Sequence, residues 1–113
     1  MPKVDFYEFG IIAIDGKKYE KDIIILPSGR IIPRPMPKGT HTICFSEFEK
    51  ILEEKPEVII IGTGHDGIAK LEEEANNKLK SLNIKIVKDI TKKAVEIYNK
   101  TKEKKAALFH LTC

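Results

Sequence analysis

Hydrophobic and polar positions alternate over residues 4–9, and two further short segments with apolar runs, 11–14 and 19–26, follow in the first third of the chain. Alternation with period two is typical of half-buried β-strands. Asp15-Gly16 separates the second segment from the third, and Pro27-Ser28-Gly29 follows the third. Both are turn sequences in which glycine accepts a positive φ. The pattern predicts a meander of antiparallel strands.

From Ser46 onward the apolar positions follow a helical period. Ser46 and Glu49 form an S-x-x-E capping box for a first helix, which Pro56 ends. Asp66 is placed to cap a second helix, and Asp89 to begin a third. Apolar strands at 57–61, 84–87 and 105–112 lie between and after these helices. We expect Ile59, Ile61, Leu79, Ile86, Leu108 and Phe109 to form the core.

These elements predict one α/β domain over residues 1–113, in which a β-meander is followed by alternating helices and strands that join a mixed sheet. Segment 105–112 is apolar on both faces, as in strands buried within a sheet. Right-handed crossovers allow it to lie beyond 84–87 or on the other side of 57–61. We expect the second position, parallel to 57–61 and next to the meander. A crevice would then open between Gly62-Thr63-Gly64 and residues 110–113.

Prolines at positions 33, 35 and 37 interrupt the pattern, because proline lacks the donor that a strand ladder needs. We interpret segment 32–39 as an extended, surface-exposed connector.

Composition narrows the function classes. Charged residues make up 33% of the 113 residues, with a net charge of +3 spread along the chain. Nucleic-acid binders usually concentrate their basic residues, so this distribution argues against them. Abundant Lys and Glu without Gln is typical of a thermophile. The apolar runs are too short to span a membrane, no signal peptide is evident, and two cysteines make no disulfide scaffold. We expect a cytoplasmic protein with reduced Cys44 and Cys113.

Residues 62–67 match G-x-G-x-x-G between a strand and a predicted helix. Amides at such a turn suit a phosphate or another small anion. Two features argue against a dinucleotide: only half of a full binding fold is present, and Asp66 would face the pyrophosphate. Turn geometry alone and a small anion site both remain open, and we expect no cofactor.

No catalytic or metal constellation stands out. His41, His65 and His110 are too scattered for a zinc motif, so no metal site is expected. Cys44 lies between Ile43 and Phe45, where a free cysteine acts as a small core residue. His110 is a candidate polar contact for a ligand in the crevice, with satisfaction of a nearby backbone group as the alternative.

The chain resembles a family of small proteins of unknown biochemical function. This family includes the adipogenesis-associated domain protein and, more distantly, respiratory complex I assembly factor 3. The resemblance covers nearly the whole chain and is carried by Phe9-Gly10, Ile14-Asp15-Gly16-Lys17, Pro27-Ser28-Gly29-Arg30-Ile31, Gly39-Thr40-His41, Ile60-Ile61-Gly62-Thr63-Gly64, Ala94, Tyr98-Asn99 and Phe109-His110-Leu111-Thr112-Cys113. It implies a three-layer fold with a mixed sheet and no established reaction.

We therefore expect a non-enzymatic binding or assembly-type protein with a protein partner. The alternative is a protein that binds a small molecule or anion, with Gly62, Thr63, Gly64, His110 and Cys113 as candidate ligand-binding residues.

Overall fold

Ten strands and three α-helices form residues 2–113, the part of the chain that the computed structural model describes, and six of the strands precede the first helix. The strands are β1 (Val4–Glu8), β2 (Ile11–Ile14), β3 (Lys17–Tyr19), β4 (Ile23–Ile25), β5 (Ile31–Pro33), β6 (Thr42–Ile43), β7 (Val58–Thr63), β8 (Lys70–Leu71), β9 (Lys85–Asp89) and β10 (Lys105–His110). The α-helices are α1 (Glu49–Glu53), α2 (Glu73–Ser81) and α3 (Thr91–Lys100), and a 3-10 helix, Phe45–Phe48, precedes α1. No helix in this range is long and apolar enough to cross a membrane.

A mixed five-stranded sheet in the order β5-β4-β10-β7-β9 forms the centre of the molecule. Strands β1, β2 and β3 form a second, antiparallel sheet, and β6 pairs with β8. Helix α3 packs on one face of the central sheet through Ala94 and Tyr98, and α2 packs on the other through Leu79. The predicted α/β class with a mixed sheet and helices is confirmed.

Strand β10 lies between β7 and β4. It runs parallel to β7, with Ala107 opposite Ile60, and antiparallel to β4, with Ala107 opposite Ile25. All six of its residues are buried. Of the two positions that right-handed crossovers allow, the strand takes the expected one beside 57–61, because both of its faces are apolar.

The predicted core is largely confirmed. Ile59, Ile61, Leu79, Leu108 and Phe109 are each 0% exposed. Ile86 is only partly buried, which corrects the prediction for that residue. It lies on β9, an edge strand of the central sheet.

The segment predicted as one strand over 19–26 is divided. Tyr19 ends β3 in the small sheet, and Ile23 begins β4 in the central sheet. Asp22, between them, is buried and accepts the amide of Leu111 at 2.9 Å. The polar residues before Ile23 therefore let the chain pass from one sheet to the other.

Two predicted helix starts are wrong. The carboxylate of Glu47, not a Ser46–Glu49 box, reaches back to the Cys44 amide at 2.9 Å. Asp66 caps no helix, because α2 begins only at Glu73. Gly64 and Gly67 have φ of +107° and +71°, and the chain after them extends into β8 and pairs with β6. Positive φ at these glycines is incompatible with a continuous right-handed helix.

The third helix also begins later than expected. Asp89 stays in β9, its carboxylate accepts the Ile90 amide at 2.7 Å, and α3 starts at Thr91.

Candidate functional site

The carboxyl ends of β7 and β10 meet at one edge of the central sheet. His110 pairs with Thr63 there, and the glycine loop, Gly62-Thr63-Gly64, faces the residues that follow β10. A Cβ atom added to Gly64 would lie 2.5 Å from the Cys113 carbonyl carbon and 2.6 Å from the Thr112 oxygen. The predicted meeting of the loop with residues 110–113 therefore occurs, but as direct packing and not as an open crevice.

The amides of this loop are occupied by the chain itself. His65 donates to the Thr112 carbonyl oxygen at 2.7 Å, and both Asp66 and Ile68 donate to the Cys113 oxygen, at 3.2 and 3.1 Å. No helix opens at this point, so the loop lacks the helix N-terminus that a dinucleotide fingerprint requires. Anion binding by these amides requires that residues 112–113 move away.

Thr91 connects the two strand ends and was not singled out from the sequence. Its hydroxyl accepts the Gly64 amide at 2.8 Å and donates to the His110 carbonyl oxygen at 2.5 Å. A Cβ at Gly62 would lie 2.8 Å from that hydroxyl oxygen. Glycine at position 62 therefore permits the close approach of α3 to β7.

The imidazole of His110 does not contact a backbone group of the loop. It is fully buried, and its Nδ1 lies 2.8 Å from Oδ2 of Asp22. The same carboxylate oxygen accepts Nη1 of Arg34 at 2.8 Å, and Nε of Arg34 donates to Glu47 at 2.6 Å. These four residues form a buried ion cluster, Asp22–Arg34–Glu47–His110.

Arg34 corrects our interpretation of the proline segment. Its side chain is 0% exposed and also donates to the carbonyl oxygens of Thr40 and Thr42. The flanking prolines are exposed, and the arginine between them points inward. Segment 32–39 is therefore anchored to the interior, and only part of it lies at the surface.

Electrostatics favour an ionised Asp22. Burial by itself raises the pKa of this carboxyl, but the hydrogen bond from His110, the Leu111 amide and the Arg34 guanidinium together lower it below its usual value. An ionised carboxylate only accepts hydrogen bonds, so Nδ1 of His110 carries the proton of this pair. Nε2 of His110 has no partner among residues 2–113, and the ring of exposed His41 lies 5.6 Å from the His110 ring, edge to face.

Chemistry-bearing groups elsewhere are dispersed. Within the described chain no group of three or more His, Cys, Asp or Glu side chains is arranged to hold a metal ion. Cys44 is buried, with Sγ 3.3 Å from the Ser46 hydroxyl, and both Cys44 and Cys113 are free thiols.

A small pocket borders the glycine loop on its β9 side. It has a volume of about 300 Å³ and is lined by Thr63, Gly67, Ala69, Lys70, Leu71, Lys88 and Asp89. Lys70 and Lys88 give this pocket donors, whereas the Thr63 hydroxyl already donates to the Asp89 carbonyl oxygen at 3.1 Å and the Asp89 carboxylate adds a negative charge.

Exposed apolar side chains gather at the same edge of the sheet. Phe9 is 55% exposed and packs against His65, with ring centroids 5.5 Å apart. Ile68 is 47% exposed and Ile90 36% exposed, and Ile90 lies 3.2 Å from the position of a Cβ on Gly67. We call Phe9, His65, Ile68 and Ile90 the carboxyl-edge patch. Sequence alone did not identify it, because the four residues come from three separate segments.

Backbone contacts fix the patch in place. Gly10 donates its amide to the Leu111 carbonyl oxygen at 2.9 Å, and the Tyr7 hydroxyl donates to the same oxygen at 2.8 Å. The β1–β2 turn that carries Phe9 is therefore attached to the end of β10.

Comparison with known proteins identifies the family. A model described as "Protein of unknown function (DUF498/DUF598)" matches residues 4–110. A conserved hypothetical protein from Pyrococcus horikoshii OT3 is 31% identical over 98% of this chain and 99% of its own, with a TM-score of 0.89. A solved structure named MT938 is 27% identical over 100% of both chains, with a TM-score of 0.85.

A more distant likeness extends to a Mth938-like domain from Bordetella pertussis. It is 18% identical over 97% of this chain and 85% of its own, with a TM-score of 0.74, and at that identity it shows the fold alone. No curated protein matches the chain. The family match over residues 4–110 decides the assignment: the chain belongs to the DUF498/DUF598 family of proteins of unknown function.

Proposed function

We propose that this protein is a non-enzymatic binding or assembly-type protein that recognises a partner protein through the carboxyl-edge patch. The observation that carries the proposal is the grouping of Phe9, Ile68 and Ile90, three of the exposed large apolar side chains, around one end of the sheet. Clustered apolar exposure on an otherwise charged surface is typical of protein interaction sites. The resemblance to a respiratory complex assembly factor fits the same role.

The internal use of the polar groups also favours binding over catalysis. Arg34 pairs with both Asp22 and Glu47, and the loop amides donate to the carbonyl oxygens of Thr112 and Cys113. These contacts make the carboxyl edge rigid, so the patch is presented without a large ordering cost on binding.

The test compares capture of proteins from native extract by three forms of the chain. Phe9→Ser with Ile68→Ser should lose the partner that the wild-type chain retains. Leu82→Ser is the matched control, because Leu82 is 53% exposed but follows α2, outside the patch. It should retain the partner. Equal capture by all three forms, repeated with the purified partner, would contradict the proposal.

A second candidate is a small anion or small molecule at the glycine loop. The pocket that Lys70 and Lys88 line favours it, since their ammonium groups can donate to an anion. Native mass spectrometry of the protein from its own organism would detect a retained ligand. Titration with inorganic phosphate should shift the amide resonances of Thr63, Lys70 and Lys88, which line this pocket, and unchanged spectra at millimolar phosphate would exclude it.

A further inference from the structure

The two edges of the central sheet differ in how they are protected. Strand β5 ends in Pro33, which has no amide proton. On either side of β5, the backbone carbonyl of Arg30 accepts the Leu26 amide and the backbone amide of Arg34 donates to the Asp22 carbonyl, so both groups face β4. Ile31 is therefore the single residue of β5 that offers an outward donor. Strand β9 is five residues long and contains no proline.

The outward backbone groups of β9 belong to Ile86 and Lys88. Lys85 donates its amide to the Glu57 carbonyl oxygen at 3.1 Å, so alternate residues of β9 direct their backbone groups towards β7. The backbone amides and carbonyls of Ile86 and Lys88 consequently point away from β7, towards the open edge of the sheet. In residues 2–113, β7 is the one strand with which β9 pairs.

The charges on β9 are self-complementary. In an antiparallel pair of two β9 strands centred on Val87, Lys85 of each copy lies opposite Asp89 of the other, which gives two pairs of opposite charge. In the same register Ile86 of each copy exchanges backbone hydrogen bonds with Lys88 of the other, so the outward amides and carbonyls of both copies are paired. A register shifted to centre on Lys88 would oppose two lysines and is disfavoured.

We propose that β9 is a self-association edge at which a second copy of this chain adds its own β9 antiparallel, extending the central sheet across a two-fold axis. The pairing satisfies the open amides and carbonyls of Ile86 and Lys88 and covers the partly buried side chains of Ile86 and Val87. Lysines on edge strands usually prevent such pairing, but here Asp89 supplies the opposite charge at the position that Lys85 faces.

Sedimentation equilibrium of the purified chain at low salt, from micromolar to millimolar concentration, tests the proposal. The wild-type protein should show a concentration-dependent species of twice 12.8 kDa. Lys85→Asp replaces two attractive pairs across the interface with two repulsive ones, and should raise the dissociation constant of the dimer about tenfold. Lys85→Asp combined with Asp89→Lys restores opposite charges and should return the dissociation constant to within about threefold of wild type.

Lys18→Asp is the matched control. It makes the same charge change beside β5, at the far edge of the central sheet, and should leave the dimer unchanged. Far-UV circular dichroism checks that each variant is folded. A protein that stays monomeric at millimolar concentration would overturn the proposal, as would a dimer that is insensitive to Lys85→Asp or is not rescued by the double variant.

Amide hydrogen exchange of the wild-type chain gives an independent measurement. Protection of Ile86 and Lys88 should rise between ten micromolar and one millimolar protein, while protection of Ile31 on the opposite edge should not change. No concentration dependence at Ile86 and Lys88 would also overturn the pairing, whatever the behaviour of the variants.

Discussion

Arg34 lies in an uncommon environment for an arginine, because its guanidinium is wholly buried between two carboxylates. Arginine is almost never fully buried unless it is paired. The sequence places Arg34 between Pro33 and Pro35, a context typical of surface connectors, and the partners Asp22 and Glu47 lie 12 and 13 residues away. The cluster depends on tertiary contacts between segments, so no local pattern could have predicted it.

Removing the arginine should be far more costly than removing a surface charge. Arg34→Met leaves Asp22 and Glu47 buried without their cation, and should lower the free energy of unfolding by about 3–5 kcal/mol. Arg30→Ala, at an exposed position four residues earlier, should change it by less than about 0.5 kcal/mol. Guanidinium chloride unfolding measures both. A loss below about 1 kcal/mol for Arg34→Met would mean that the cluster is not buried in solution.

Gly64 has a stricter requirement than the other glycines. At φ +107° an alanine would be strained, and its Cβ would collide with Thr112 and Cys113. Gly64→Ala should therefore destabilise by about 1–3 kcal/mol beyond the strain alone. Gly39→Ala measures that strain by itself, because Gly39 has a φ of +86° and nothing within 4 Å of its Cβ position. Chemical denaturation should rank Gly64→Ala as the more damaging of the two, and equal losses would contradict the packing of residues 112–113 on the loop.

At the scale of elements, strands were predicted better than helix starts. The alternation in β1, the Asp15-Gly16 turn and the two-faced apolar pattern of β10 are local signals with one strong interpretation. The stretch after Gly67 is ambiguous, since Ile68 and Leu71 fit a helical stripe as well as an extended strand. Pairing of β8 with β6 decides in favour of the strand, and that contact joins residues 28 positions apart.

Strand β10 should tolerate no loss of its large side chain. Phe109 is 0% exposed and packs edge to face on Tyr98, with ring centroids 6.0 Å apart. Phe109→Ala should lower the free energy of unfolding by about 3–5 kcal/mol. Phe9→Ala is the control, because Phe9 is 55% exposed and should cost much less. Comparable losses for the two variants in urea unfolding would show that β10 is not the buried centre of the sheet.

At the scale of the whole molecule, the position of the candidate site was predictable and its contents were not. Topology placed the glycine loop beside residues 110–113, because parallel β7 and β10 end at one edge. Occupation of the loop amides by Thr112 and Cys113 depends on the path of the chain after β10, for which the sequence carries no periodic signal. The carboxyl-edge patch likewise required the attachment of the β1–β2 turn to Leu111.

Acid should weaken the molecule through Asp22. Its pKa is lowered in the folded state, so its stabilising contribution is complete above the unfolded value of about 3.9 and is lost as pH falls through the lower folded value. At pH 7 Asp22→Asn should be about 3 kcal/mol less stable than wild type, since it removes one member of a buried ion pair. This difference should shrink steadily below pH 3.9 in thermal unfolding monitored by circular dichroism. A constant difference from pH 7 to pH 2 would contradict the lowered pKa.

The central place of β10 has a consequence for the order in which the domain assembles. Every other strand of the central sheet precedes β10 in the chain, and β10 alone joins β4 to β7. A nascent chain that has emerged only as far as Lys104 therefore has two half-sheets with no strand between them and apolar surfaces open to solvent. The two halves cannot cooperate until Lys105–His110 leaves the ribosome, so folding of this sheet is expected to be a single late event. Such a chain depends on rapid completion of synthesis, or on a chaperone, to keep its unfinished sheet from associating with other chains.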